Sequence, residues 1–172
     1  MKNETKGIAP LIIAIVVIVV VAVAGVGIFV ATRGGTSGGG GGGGGGGDIT
    51  GATNLSFNMT SSAGGVSSSM TFYAKDIGST NLKMRVEGTA AGYDFKYIIN
   101  GTLQKLWVYA GGMWTDMTSS LFSTYWDTYS AMFSGYQTDL AGVTGDTWTD
   151  GTTTISNIST ATLADSLFAD PT

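Results

Sequence analysis

The chain of 172 residues contains neither cysteine nor histidine, which removes disulfides, thiol nucleophiles, histidine general bases and histidine-ligated metals. The net charge is −4 overall and −6 beyond Gly47, where five basic residues face eleven acidic ones, and this argues against nucleic acid as a partner. No Walker-type phosphate loop occurs, and the chain reads as a non-enzyme that needs no cofactor and no metal.

The first element is apolar. From Gly7 to Thr32 no residue is charged and most are Ile, Val or Ala. Roughly 20 apolar residues cross about 30 Å of hydrocarbon, so residues 1–33 are expected to hold a membrane-spanning anchor helix. The run is too long for the apolar region of a cleaved secretory signal, and Pro10 falls in its first turn, where a missing N–H costs nothing. Lys2 and Lys6 precede it and only Arg33 follows, which predicts the N-terminus inside and the C-terminal part outside the cell. Gly27 and Ala31 form a small-xxx-small spacing through which two such helices can approach, although Gly and Ala are also simply common in membrane helices. Membrane lipid is the expected partner, with a protein partner or self-assembly through the helix as the second candidate.

The residues Lys6-Gly7-Ile8-Ala9-Pro10-Leu11-Ile12 resemble the opening of archaeal type IV pilins and other archaeal surface proteins, in which a Lys-Gly pair precedes an apolar helix. The resemblance implies an archaeal membrane-anchored protein, with processing between Gly7 and Ile8 if the chain is handled as a pilin. Many pilins carry a Glu early in the mature helix, and Ile8 to Val16 offers none.

Residues 34–47 are a linker with an unbroken glycine run from Gly38 to Gly47. Glycine loses more freedom on ordering than any other residue, so this segment reads as a tether. It spans roughly 20 Å as a coil and about 50 Å when stretched.

Residues 48–172 are expected to fold as one extracellular β-rich domain. Leu55, Phe57 and Met59 alternate with polar neighbours before a break at Ser61 to Gly65. Met70, Phe72 and Ala74 alternate next, up to a turn at Asp76-Ile77-Gly78. Leu82, Met84 and Val86, then Tyr93, Phe95, Tyr97 and Ile99, continue the pattern. Period-two alternation between turns predicts strands with one buried face. Asn100-Gly101 predicts a two-residue hairpin into "TLQKLWVY", and Gly111-Gly112 turns the chain into "MWTDM". The period then changes. Phe122, Tyr125, Trp126, Tyr129, Phe133, Tyr136 and Leu140 form one stripe of an amphipathic helix, with Ser119 or Ser120 placed to cap it and Gly142 to Gly145 to end it. "TWTDGTTTISNI" predicts one more strand or hairpin, and "LADSLF" a short helix.

The expected fold is α+β: an N-terminal transmembrane helix, then a curved antiparallel sheet packed on an amphipathic helix. In "LKMRVEG…YIINGTLQKLWVY…MWTDM" the strand texture is similar to that of periplasmic lipoprotein-carrier-like half-barrels. That resemblance implies an acyl-chain cavity between sheet and helix, whereas the same aromatics read by themselves fill a core. Phe122, Tyr125, Trp126, Tyr129, Phe133 and Tyr136 are thus the candidate pocket or core. Asn54, Asn58, Asn100 and Asn157 each open an Asn-x-Ser/Thr sequon on the outer side, with Asn100 expected at a hairpin tip. The expected function is a single-span surface protein with a non-catalytic binding head. A pilin-like filament subunit and a lipid-binding carrier are the alternatives.

Overall fold

The computed structural model describes residues 49–172 except 64–65, 91, 142, 144–146 and 151–152. The expected anchor in residues 1–33, the tether in 34–47 and the Gly7–Ile8 junction lie outside the described residues. Among those described, no helix is long and apolar enough to cross a membrane.

The architecture is α+β: one antiparallel sheet of eight strands and one α-helix. The strands are β1 (Asn54–Ala63), β2 (Val66–Lys75), β3 (Lys83–Ala90), β4 (Tyr93–Asn100), β5 (Lys105–Ala110) and β6 (Met113–Asp116). Helix α1 (Thr118–Leu140) follows, then β7 (Thr147–Asp150), β8 (Thr153–Ser159) and a 3-10 turn at Asp165–Phe168. The sheet order is β6-β5-β4-β3-β2-β1-β8-β7. Six strands form a meander, and the β7–β8 hairpin then joins the far side by pairing β8 with β1.

The helix makes this return across the inner face. Its 23 residues rise roughly 35 Å at 1.5 Å each, close to the roughly 34 Å that eight strands span at about 4.8 Å spacing. Its rings mark the path. Tyr125 and Tyr129 meet Tyr97 of β4, Phe133 meets Phe72 of β2, and Tyr136 meets Phe57 of β1. The long crossover is therefore set by helix length, with no turn signal needed.

Period-two alternation places Leu55, Phe57, Met59, Met70, Phe72, Ala74, Met84, Val86, Phe95, Tyr97 and Ile99 in the core as expected. Tyr93 departs from that pattern and is 57% exposed. Pairing of β4 with β5 begins only at Lys96, so Tyr93 has a strand neighbour on the β3 side alone. Gly88 continues the inward parity of Met84 and Val86. A Cβ there would collide with the backbone carbonyl of Ser69 on β2, so the site accepts only glycine.

Two local expectations change. The β4–β5 connection is the four-residue turn Gly101–Gln104, with Gln104 at φ 52, and not a two-residue hairpin. Its length follows from Asn100, whose side chain is buried on the outer face beneath the C-terminal segment and accepts a hydrogen bond from Leu103 N at 3.1 Å. A Cβ on Gly101 would collide with the indole of Trp126. The helix begins at Thr118, one residue before Ser119, and its N-cap residue Met117 makes no side-chain cap. Asp116 takes that role from the strand: its carboxylate accepts from Thr118 N at 2.9 Å and from Lys105 Nζ at 2.9 Å. These bonds hold the Asp116 carboxyl well below the ordinary carboxylate range, the Thr118 hydrogen bond first among them.

The outer face is covered over β2 to β5 by the C-terminal segment, which the alternation did not announce. Ile98, Trp107 and Phe168 form a second buried cluster, with Tyr73, Trp114, Leu163 and Leu167 packed against it. Polar side chains hold the segment down. Lys75 Nζ donates to Leu163 O at 3.1 Å, Arg85 to Leu167 O at 3.0 Å, and Asn100 Nδ2 to Phe168 O at 3.2 Å. Asp165 sits between Lys75 and Lys83 at 3.0 and 2.9 Å.

Candidate functional site

The aromatic stripe expected on the helix is present and is brought against the sheet. Tyr125, Tyr129, Phe133 and Tyr136 are buried, at spacings of four, four and three that keep them on one face. Phe122 and Trp126 stack on one another at 5.8 Å but sit half-buried on the flank. Four of the six candidate residues thus belong to the interior and two to its rim.

The rings fill space in ordinary aromatic geometries. Phe57 and Phe72, on adjacent strands, stack at 4.8 Å, and Tyr136 meets both edge-on at 5.0 and 6.1 Å. Phe133 closes the group at 6.3 Å from Phe72 and 6.2 Å from Tyr136. At the other end Tyr97 lies 5.0 Å from Tyr129 and 5.9 Å from Tyr125.

The polar atoms are less well served. The hydroxyls of Tyr97, Tyr129 and Tyr136 are buried without a hydrogen-bond partner. An unmet buried hydroxyl costs about 1–3 kcal/mol, so three in one core are an uncommon concentration. Burial pushes their ionisation well above the ordinary tyrosine value, and that of Tyr125 up to about 12. The nearby Tyr129 hydroxyl adds to the cost of ionising Tyr97, although the two do not meet in good hydrogen-bond geometry. All four remain neutral at physiological pH. They can donate to an oxygen but cannot act as bases.

Several charged groups elsewhere are committed to structure. Glu87 pairs with Arg85 at 2.8 Å and Lys96 at 3.7 Å, and Asp165 with two lysines. Among the described residues no group of three acids stands ready to hold a metal ion.

The four sequons fall in different settings. Asn157 is exposed. Asn58 is half-buried on the outer face, opposite Thr71 of β2 and Ser156 of β8. Asn54 accepts from Leu163 N at 3.4 Å and donates to Thr53 Oγ1 at 3.2 Å, which engages it with the C-terminal segment. Asn100 is not at a hairpin tip: it is 5% exposed and both ends of its amide are used. Next to the Asn58 sequon, whose Thr60 takes part in it, a groove of about 380 Å³ is lined by the hydroxyl residues Thr60, Ser61, Ser62, Ser67, Ser68, Ser69, Thr89 and Thr154. The sequence reading did not single it out, although "TSS" and "SSS" opposite one another across a hairpin are its signal.

The start of the body is also fixed. Ile49 is 6% exposed in the main core, and Ala52 N donates to its carbonyl at 3.1 Å. Gln137 of α1 donates to the carbonyl of Ala52. The described head is therefore packed from its first residue. No protein-family model, no curated protein and no solved structure matches this chain.

Proposed function

We propose that the chain is a single-span, membrane-anchored surface protein, archaeal in type, whose head binds or packs against a partner outside the cell without catalysis. One observation carries this reading: the uncharged apolar run Gly7–Thr32 is followed by a glycine tract that meets a packed body at Ile49. A helix dissolved in lipid and a folded head need a joint that transmits no orientation, and glycine supplies it. The head then works at a distance of roughly 20 Å from the membrane, with slack to about 50 Å. In this reading the sheet curves around α1, and residues 1–33 stay as an uncleaved signal-anchor that touches lipid and, through Gly27 and Ala31, a second copy.

Absence of native cysteine makes the location directly testable. Ser119 is exposed on α1, so Ser119→Cys introduces the sole thiol. Labelling of intact cells by a membrane-impermeant maleimide, with the protein resistant to alkaline carbonate extraction, is the expected outcome. Labelling only after permeabilisation, or extraction by carbonate, would refute the proposal.

The Lys6-Gly7-Ile8 junction favours a second reading, a pilin-like subunit of a filament. A native N-terminus at Ile8, found by mass spectrometry, would establish processing; a retained Lys2 removes this reading. Acyl-chain carriage draws less support, because stacked and edge-on rings occupy the space between sheet and helix. A stoichiometric acyl lipid in a solvent extract of the purified protein would reverse that preference.

A further inference from the structure

Sequons are common by chance in a chain rich in Ser, Thr and Asn, so the motif alone selects no site. Backbone and side-chain settings do. In β8, Ile155 and Ile158 both face the core although three positions apart, which period two forbids. The ladder explains it. Ser156 pairs with Asn58 and Ser159 with Ser56, so β8 holds one more residue than β1 over this stretch. That residue forms a bulge, and Asn157 occupies it at φ 55, the left-handed region that Asn tolerates better than most side chains. Its side chain is exposed and takes part in no hydrogen bond among the described residues.

We propose that Asn157 is the N-glycan acceptor of the head, an inference that rests on the outside location argued above. The amide is free to react, and the sequon hydroxyl of Ser159 lies two residues on. Among the described residues Ser159 Oγ accepts from Ala161 N alone, at 3.2 Å, and donates its own proton to none. The donor is a sugar carried on a polyisoprenoid phosphate. Asn157 Nδ2 forms the bond to the anomeric carbon, and the carbon–oxygen bond to phosphate breaks. The phosphate leaves with the electron pair, and one amide proton passes to solvent. Asn100 is excluded, since its Nδ2 holds Phe168 O and any sugar there would displace the C-terminal segment. Asn54 is held by the same segment through Leu163. A glycan on Asn157 would lie over the neighbouring outer face of β1, beside Asn58 and Thr60.

Glycopeptide mass spectrometry on the full chain, isolated from the membranes of its own cells, tests this. The peptide with Asn157 is expected to carry sugar and the peptide with Asn100 none. Ser159→Ala removes the acceptor hydroxyl without touching Asn157, and should abolish the modification there; Asn100→Gln should leave it intact. A bare Asn157 peptide overturns the assignment, as does sugar on Asn100. Labelling of the Ser119→Cys thiol in the same cells separates the two failures: a labelled thiol with bare Asn157 sinks the acceptor alone, and an unlabelled thiol sinks the location with it.

Discussion

Replacing Tyr136 by Phe removes one oxygen from the middle of the head and leaves the ring where it is. The residue is 2% exposed, its hydroxyl has no partner, and its ring touches Phe57, Phe72 and Phe133 edge-on. Those aromatic contacts survive the substitution. What changes is the unmet hydroxyl, which costs about 1–3 kcal/mol when buried, against a few tenths of a kcal/mol of lost dispersion. Tyr136→Phe is therefore expected to stabilise the head by about 1 kcal/mol, or about 3–6 °C in melting temperature for a domain of this size. Urea unfolding of the full chain in detergent, followed by tryptophan fluorescence, reads this as a higher midpoint at unchanged slope. A midpoint lowered by the equivalent of 1 kcal/mol would refute the reasoning, because it would mean that a water or a ligand atom satisfies the hydroxyl. Tyr97→Phe and Tyr129→Phe extend the test to the other end of the interior.

Alkaline pH probes these three phenols together with that of Tyr125. Below pH 10.0 they are protonated in both states; above it the unfolded chain releases protons that the fold retains, so stability falls by about 1.4 kcal/mol per pH unit for each buried tyrosine until Tyr125 ionises at about 12. Phenolate absorbance from Tyr97, Tyr129 and Tyr136 should appear together with loss of far-UV ellipticity, and phenolate formation by these three in an intact fold below about pH 12 would contradict their burial. Gly88→Ala is expected to cost about 2 kcal/mol through collision with the Ser69 carbonyl, seen as a lowered urea midpoint; an unchanged midpoint would show that β2 and β3 can separate freely. Phe168→Ala should cost about 3 kcal/mol and shift Trp107 emission to the red, since both lie in the cluster on the outer face; unchanged emission would place the C-terminal segment elsewhere.

Residues whose environment is local were legible in advance. Alternation in "NLSFNM" and "LKMRVE" places each apolar residue on the correct face, and the aromatic spacing of α1 names the helical stripe before any contact is known. What failed depends on distant chain. Ile98 and Trp107 sit out of phase in "YII" and "LWV", and those consecutive apolar residues mark strands buried on both sides. The covering element is some sixty residues away in sequence, so no local signal identifies it. Asn100 misled for the same reason, because the C-terminal segment covers it on the outer face: its amide donates to the carbonyl of Phe168 and its oxygen accepts from Leu103 N within the turn. Ser119 and Ser120 were sound cap candidates by type, yet Asp116, already paired with Lys105, reaches the first helical N–H sooner. The register of β8 on β1 needed the bulge at Asn157, which Ile155-x-x-Ile158 signals only once both residues are known to be buried.

Limited proteolysis of intact cells reaches the central claim most directly. A non-permeant protease that cleaves at glycine should sever residues 34–47, release a folded head beginning within the glycine tract, and leave residues 1–33 in the membrane pellet. Recovery of the whole chain, uncut and with its first thirty-three residues intact, in the aqueous fraction of cells broken without detergent would contradict the account.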